Sequence, residues 1–211
     1  MTTAGYRKNN SPGKLAARSN AYAHLSRDEI YTGKHLLIAS IDCGDILHLL
    51  HLGVPAKNII ACDIDPKARE AAKSLGVVLS PFETIQDTVT WAFTKYGRKI
   101  VSVNVDLCMS VINGSPILNA VLDNMEKILG KKSSQVNVMF TYARYRDGIN
   151  DGPENGKRLT YLCAKTGLKL ASSLNGTGYN YVSHTKVAQG SPMSMIAFQP
   201  FRSYNKPRQS K

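Results

Sequence analysis

The stretch from residue 34 to 75, KHLLIASIDCGDILHLLHLGVPAKNIIACDIDPKAREAAKSL, switches twice from a strand pattern to a helix pattern, and little else is compatible with that. His35 to Ile41 is an apolar run of strand length that ends in a polar tight-turn segment, Asp42, Cys43, Gly44 and Asp45. Ile46 to Leu52 is apolar enough for a buried helix, and Gly53, Val54 and Pro55 stop it. Ile59 to Cys62 is the second strand, ending in Asp63. Pro66 then opens a helix over Lys67 to Leu75, where a missing backbone N–H costs nothing. This βαβα order predicts an α/β protein with a doubly wound sheet.

The carboxylate of Asp63 follows Gly44 by 19 residues, close to the roughly 20 that separate a first glycine turn from a ribose-binding acid in such sheets. In that geometry the end of the second strand lies beside the turn that ends the first. A carboxylate there can accept hydrogen bonds from both ribose hydroxyls of an adenosine.

The rest of the chain extends the same plan. Val77 to Leu79 is a short third strand, followed by Ser80, Pro81 and Phe82. Glu83 to Tyr96 is a helix with Ile85, Val89, Trp91 and Phe93 toward its buried side. Ile100 to Leu107 is a β-branched fourth strand, suited to the middle of a parallel sheet, with Asp106 at the end where open α/β sheets bind ligands. Asp106 there can orient an acceptor, act as a base or cap the next turn. Ser115 to Leu129 is a helix opened by Ser-Pro, and Val136 to Thr141 is the fifth strand. It runs into TYARYRDG, where rings and guanidinium groups alternate, a pattern that serves stacking on unpaired bases and contact with phosphates, or else a solvated strand edge. A helix over Glu154 to Lys165 precedes a sixth strand, Leu168 to Leu174 and Tyr179 to Val182 interrupted by NGTG, and a last strand, Met193 to Phe198. The expectation is a mostly parallel seven-stranded sheet with a final antiparallel strand and helices on both faces.

At the glycine-containing turn, at the acid in ACDIDPKAREAA and at the strand ending in VNVDLC, the chain resembles the class I S-adenosylmethionine-dependent methyltransferases, over about residues 34–200. The resemblance implies S-adenosylmethionine as cofactor. It implies that Asp42, Gly44 and Asp45 wrap the methionine moiety, that Asp63 and Ile64 hold the adenosine, and that Phe82 borders the adenine, either stacked on it or in the core. Asp106 faces the methyl group, and Tyr142 joins it as a candidate catalytic residue. The chain departs from the family at Ser40 and Asp42, where further glycines are usual. The segment DLCMSVINGSP lacks the Pro-Pro-aromatic turn of base amino methyltransferases. No acid follows Glu154 to serve as the late glutamate of the ribose 2′-O type, and Cys108 follows Leu107 rather than the proline of cytosine C5 enzymes.

Charge adds a partner. Residues 1–27 hold five Lys or Arg and no acid, residues 155–211 hold nine and no acid, and residues 28–154 have a net charge of −2, so the +12 of the chain resides in its two flanks. Such asymmetry points to a polyanion, because each cation that meets a phosphate releases counterions. Arg144, Arg146, Lys186 and Arg202 are the candidate nucleic-acid contacts. Residues 1–20 read as a basic flexible arm, 21–200 as one domain and 201–211 as a basic flexible tail. Residues 21–31 are expected to hold a short helix beside the sheet. No apolar run reaches the roughly 18 residues of a membrane span, and four single cysteines without metal-ligand spacing suit reduced thiols in a cytoplasm, with no metal site. The functional expectation is a methyltransferase acting on nucleic acid or a nucleic-acid-associated substrate. The alternative is a nucleic-acid-binding or viral assembly protein that keeps the fold without turnover. A nicotinamide-dependent oxidoreductase would need GxGxxG, and the turn has one glycine.

Overall fold

The computed structural model describes residues 18–19, 22–23, 25–107, 111–129, 136–143, 169–173 and 193–199. The strands are β1 (Lys34–Ile38), β2 (Ile59–Cys62), β3 (Val78–Leu79), β4 (Ile100–Asp106), β5 (Asn137–Ala143), β6 (Lys169–Ser173) and β7 (Met193–Gln199). The helices are α1 (Arg27–Thr32), α2 (Gly44–His51), α3 (Pro66–Ser74), α4 (Ile85–Tyr96) and α5 (Val111–Leu129). Short 3-10 turns at Ala56–Asn58 and Gly97–Lys99 lead into β2 and β4.

The strands form one sheet in the order β3-β2-β1-β4-β5-β7-β6. β3, β2, β1, β4 and β5 are parallel, as expected, and β7 runs antiparallel to both β5 and β6. Chain order reverses direction between β1 and β4, which makes the carboxyl ends of these two strands the topological switch point.

Both faces of the central strands are buried, which is why they read as unbroken apolar runs rather than as alternation. On one face Leu36, Ile60, Val103, Val105 and Phe140 pack with Val89 and Phe93 of α4 and with Leu118, Val121 and Met125 of α5. On the other, Leu37, Ile59, Ala61 and Met139 pack with Ile46 and Leu49 of α2, with Ala68 and Ala72 of α3, and with Tyr22 and Leu25. A fully buried ring such as Phe93 contributes about 2 kcal/mol to this association. Among the described residues no helix is long and apolar enough to cross a membrane.

Several boundaries differ from the sequence expectation for local reasons. Helix α1 is confined to residues 27–32, because Ser26 and Glu29 form a capping box: the Ser26 side chain accepts the Glu29 N–H while Glu29 accepts the Ser26 N–H at 2.8 Å. Helix α2 starts at Gly44 rather than Ile46. Cys43 takes a left-handed conformation (φ 51°), and the Asp42 carboxylate accepts the Gly44 N–H, so the turn closes two residues early. Helix α5 starts at Val111, which places Pro116 inside it rather than in its first turn. Trp91 is half-buried at the edge of the core, edge-on to Tyr96 at 5.8 Å, while Thr88 and Ala92 take the buried positions of α4. The expected helix at 154–165 and the strand piece at 179–182 lie outside the described residues.

One polar contact crosses the buried interior. His35 Nε2 faces the Ile30 carbonyl at 3.0 Å, and a carbonyl only accepts, so Nε2 carries the proton. Nδ1 of the neutral ring then accepts from the Ser102 hydroxyl at 2.8 Å. Burial disfavours the imidazolium and lowers the His35 pKa to about 4.

Candidate functional site

A cavity of about 430 Å³ opens at the carboxyl ends of β1, β2 and β4. Its wall draws on four segments: the first turn, the Asp63 turn, the loop entering α4, and the end of β4 with Ile117 of α5.

The first turn is braced from within and from outside. The Ser40 hydroxyl donates to Asp42 Oδ1 at 2.5 Å, and the same oxygen takes the Gly44 N–H at 3.3 Å, which is the Asx geometry that suits aspartate to turns. Asp45 reaches the cavity wall, only 6% exposed, and accepts Arg18 Nε at 2.7 Å. A Cβ on Gly44 would lie 2.6 Å from Arg18 Nη2, so glycine is what lets the guanidinium rest against the turn. Burial alone would lower the Arg18 pKa, but the charge and hydrogen bond of Asp45, with the charges of Asp106 and Asp42, outweigh it and raise the pKa. Arg18 belongs to the stretch read from sequence as a flexible arm. Here it is 5% exposed and anchored to the domain by that ion pair.

Asp63 stands at the end of β2 with Oδ1 accepting the Asp65 N–H at 2.8 Å. Asp65 in turn caps α3, accepting the Lys67 N–H at 2.9 Å ahead of Pro66. The motif DIDP therefore positions one carboxylate for the cavity and uses the next to start a helix. Burial raises the Asp63 pKa, opposed by the Asp65 N–H. Ile64 lies in the same wall, 72% exposed, an aliphatic surface beside the carboxylate.

Arg69 of α3 shapes the third segment. Its guanidinium donates to the carbonyls of Ser80 and Phe82, each at 3.0 Å, and the Ser80 hydroxyl pairs with Thr88 Oγ1 at 2.7 Å. This pinned loop turns Glu83, Thr84, Ile85 and Gln86 into the cavity wall. Phe82 is 43% exposed and is not among the wall residues.

Asp106 and Leu107 close the fourth side. Tyr142 lies on β5 one residue beyond Thr141, the partner of Asp106 across the ladder. Asp42 and Gly44 brace the turn behind the wall, whereas Asp45, Asp63, Ile64 and Asp106 are brought together around one space. Arg144, Arg146, Lys186 and Arg202 lie outside the described residues. Sequence reasoning missed Arg18 and residues 83–86, which are placed by contacts no local pattern encodes, and Ile41, which lies within the first turn itself.

The wall carries Asp45, Asp63, Asp65, Glu83 and Asp106 and, among the described residues, no Lys or Arg, although the charge of Asp45 is met by Arg18 behind it. The remaining carboxylates favour a cationic ligand.

Solved structures share this fold. The Methanococcus jannaschii fibrillarin pre-rRNA processing protein superposes with a TM-score of 0.54 at 16% identity, over 90% of this chain and 76% of that one. A chain of the fibrillarin/Nop5p complex gives 0.55 at 18% identity, over 93% and 83%. The chain has the class I methyltransferase fold. The plantazolicin methyltransferase BamL, solved with a triazolic desmethylPZN analogue and SAH, shares the fold at a TM-score of 0.51 and 10% identity, over 92% of this chain and 88% of that one. By sequence, no family model and no curated protein matches the chain. A class I methyltransferase fold without a sequence match is expected where the sheet and its crossovers persist while the residues around them change.

Proposed function

We propose that the chain is an S-adenosylmethionine-dependent methyltransferase acting on nucleic acid. The observation that carries the cofactor is the carboxylate-lined cavity at the β1/β4 switch point, with Asp63 and Asp106 in one wall. S-adenosylmethionine brings a sulfonium and an ammonium, which that wall attracts. A nicotinamide dinucleotide brings a diphosphate, which it repels. The first turn, with Asp45 in the wall and Gly44 behind it, borders the methionine half, Asp63 accepts the ribose hydroxyls, and Ile64 packs against the adenine. When bound, the cofactor supplies an electrophilic methyl group.

The protein's remaining task is alignment in a water-poor space, worth several kcal/mol of the barrier. Asp106 orients the acceptor and takes up its proton, and Tyr142 on the adjoining strand flanks the acceptor path. The nucleic-acid part of the reading is supported by the basic flanks and by a structural neighbour described as a pre-rRNA processing protein.

Calorimetric titration with S-adenosylmethionine, S-adenosylhomocysteine and NAD tests the reading. Micromolar binding of the first two without NAD is the expected result, followed by a labelled-methyl search through RNA and DNA. A folded protein that binds none of them would be a nucleic-acid-binding protein without turnover.

A further inference from the structure

Three adjacent strands start at the edge of the sheet opposite the cavity, and each start carries a lysine. Lys34 is the first residue of β1, Lys57 lies in the turn before β2, and Lys99 immediately precedes β4. Because β2, β1 and β4 are parallel neighbours, with Lys34 in register with Ile100, these cations are gathered at one edge. Arg98 and Lys95, from the end of α4 and the turn after it, join them.

The cluster is built around two rings. Lys34 Nζ lies 4.9 Å from the Tyr96 ring centroid, and Lys95 Nζ lies 5.3 Å from the same ring and 5.1 Å from that of Trp91. The ammonium groups of Lys34 and Lys95 rest on the ring faces, which hold these two cations in place. Lys34 Nζ also donates to the Lys57 carbonyl at 2.8 Å. Lys57, Lys95, Arg98 and Lys99 are exposed, and none of the five cations makes an ion pair among the described residues. Burial and then the charges of Lys99, Lys57 and Lys95 lower the Lys34 pKa, the mark of mutual repulsion.

Uncompensated like charges destabilise a fold, and a polyanion relieves them. We propose that this amino-terminal edge is a docking surface for the phosphate backbone of a nucleic acid. Lys57, Arg98 and Lys99 contact phosphates there, beside Lys34 and Lys95, which are held on the Tyr96 and Trp91 rings. The proposal rests on the nucleic-acid part of the proposed function and concerns the end of the sheet away from the cavity. It gives the substrate a second point of attachment, remote from an acidic cavity that phosphates avoid.

The test is a triple variant, Lys57→Gln, Arg98→Gln and Lys99→Gln, against a control at the other end of the sheet, Lys67→Gln, with effects compared per charge removed. Binding of a fluorescein-labelled oligouridylate is followed by anisotropy over a salt series, and S-adenosylmethionine binding by calorimetry. The edge variant should lose about tenfold or more in affinity, with the slope of log K against log salt smaller by about 2, as three lost contacts to a single strand imply. The control should keep most of the parent's slope. Cofactor binding should be the same in all three proteins, so a failure of the cofactor reading shows separately, in the parent's own titration. An equal loss per charge in the edge variant and the control, an unchanged slope in the edge variant, or a parent that does not bind the oligonucleotide would overturn the proposal. Should the triple melt early, Arg98→Gln with Lys99→Gln replaces it, with a slope change of about 1.4 expected.

Discussion

The Arg18 guanidinium donates through Nε to Asp45 Oδ1 at 2.7 Å, and both side chains are more than nine-tenths buried. The pair joins residues 27 apart in sequence and presses the N-terminal segment onto the turn that shapes the cavity. Taking both charges out of water is costly, so the pair is weak support for net stability. It is strong support for a unique position of the segment, because either charge left alone would be worse.

Replacing one partner should therefore destabilise the protein strongly. Arg18→Met is expected to lower unfolding stability by about 3 kcal/mol or more, and Arg18→Met with Asp45→Leu should recover much of that loss. Urea unfolding of the two single variants and the double variant measures the coupling. A loss below about 1 kcal/mol in the single variant would show the pair to be marginal.

Asp63→Ala removes the proposed ribose acceptor. A hydrogen bond to a charged group is worth about 1.5–3 kcal/mol, so S-adenosylmethionine affinity should fall roughly 10- to 150-fold. The variant also loses the acceptor for the Asp65 N–H, at about 1 kcal/mol of stability. Calorimetry at a temperature where the variant is fully folded separates the two effects, and parental affinity there removes Asp63 from the site.

Asp106→Asn keeps the shape of the residue but not its basicity. At saturating cofactor, turnover on the accepted nucleic acid should drop by about a hundredfold, with cofactor affinity changed little. Single-turnover methylation with a labelled methyl group checks this. Unchanged turnover would leave Asp106 as a strand-end cap.

Two buried histidines should make the folded protein less stable in acid. Burial lowers both His35 and His48 to about 4, and for His48 the charge of Arg18 adds to the effect. Unfolded histidines titrate near 6.5, so between about pH 6.5 and 4 the unfolded chain binds more protons than the folded one. Stability is thus fully present above pH 6.5 and falls on acidification through that window, by about 3 kcal/mol for His35 alone. The midpoint of urea unfolding against pH should show this slope. A His35 ring that titrates near 6.5 by NMR in the folded protein would contradict it.

The strand and helix order of residues 34–107 was legible because both signals are local. Buried parallel strands are short apolar runs, and Gly53 and Pro66 punctuate them within a turn's length. Asp63 and Asp106 were legible as strand-end carboxylates, since strand ends in such a sheet share one crevice. Trp91, read as toward the buried side, does pack against the core, but only half-buried at its edge with Tyr96 and Lys95, while Thr88 and Ala92 take fully buried positions of α4.

By itself, then, the sequence determined the α/β class, the direction of the chain through its first four strands and the acids at two strand ends, all consequences of periodicities shorter than about a dozen residues. Only the tertiary structure decided that Arg18 braces Asp45, that Arg69 pins the Ser80–Phe82 loop so residues 83–86 face the cavity, and that lysines from three strand starts meet at one edge. Each of these joins residues that approach one another only once the crossovers have set neighbouring strands side by side, and no local pattern records which strands those are.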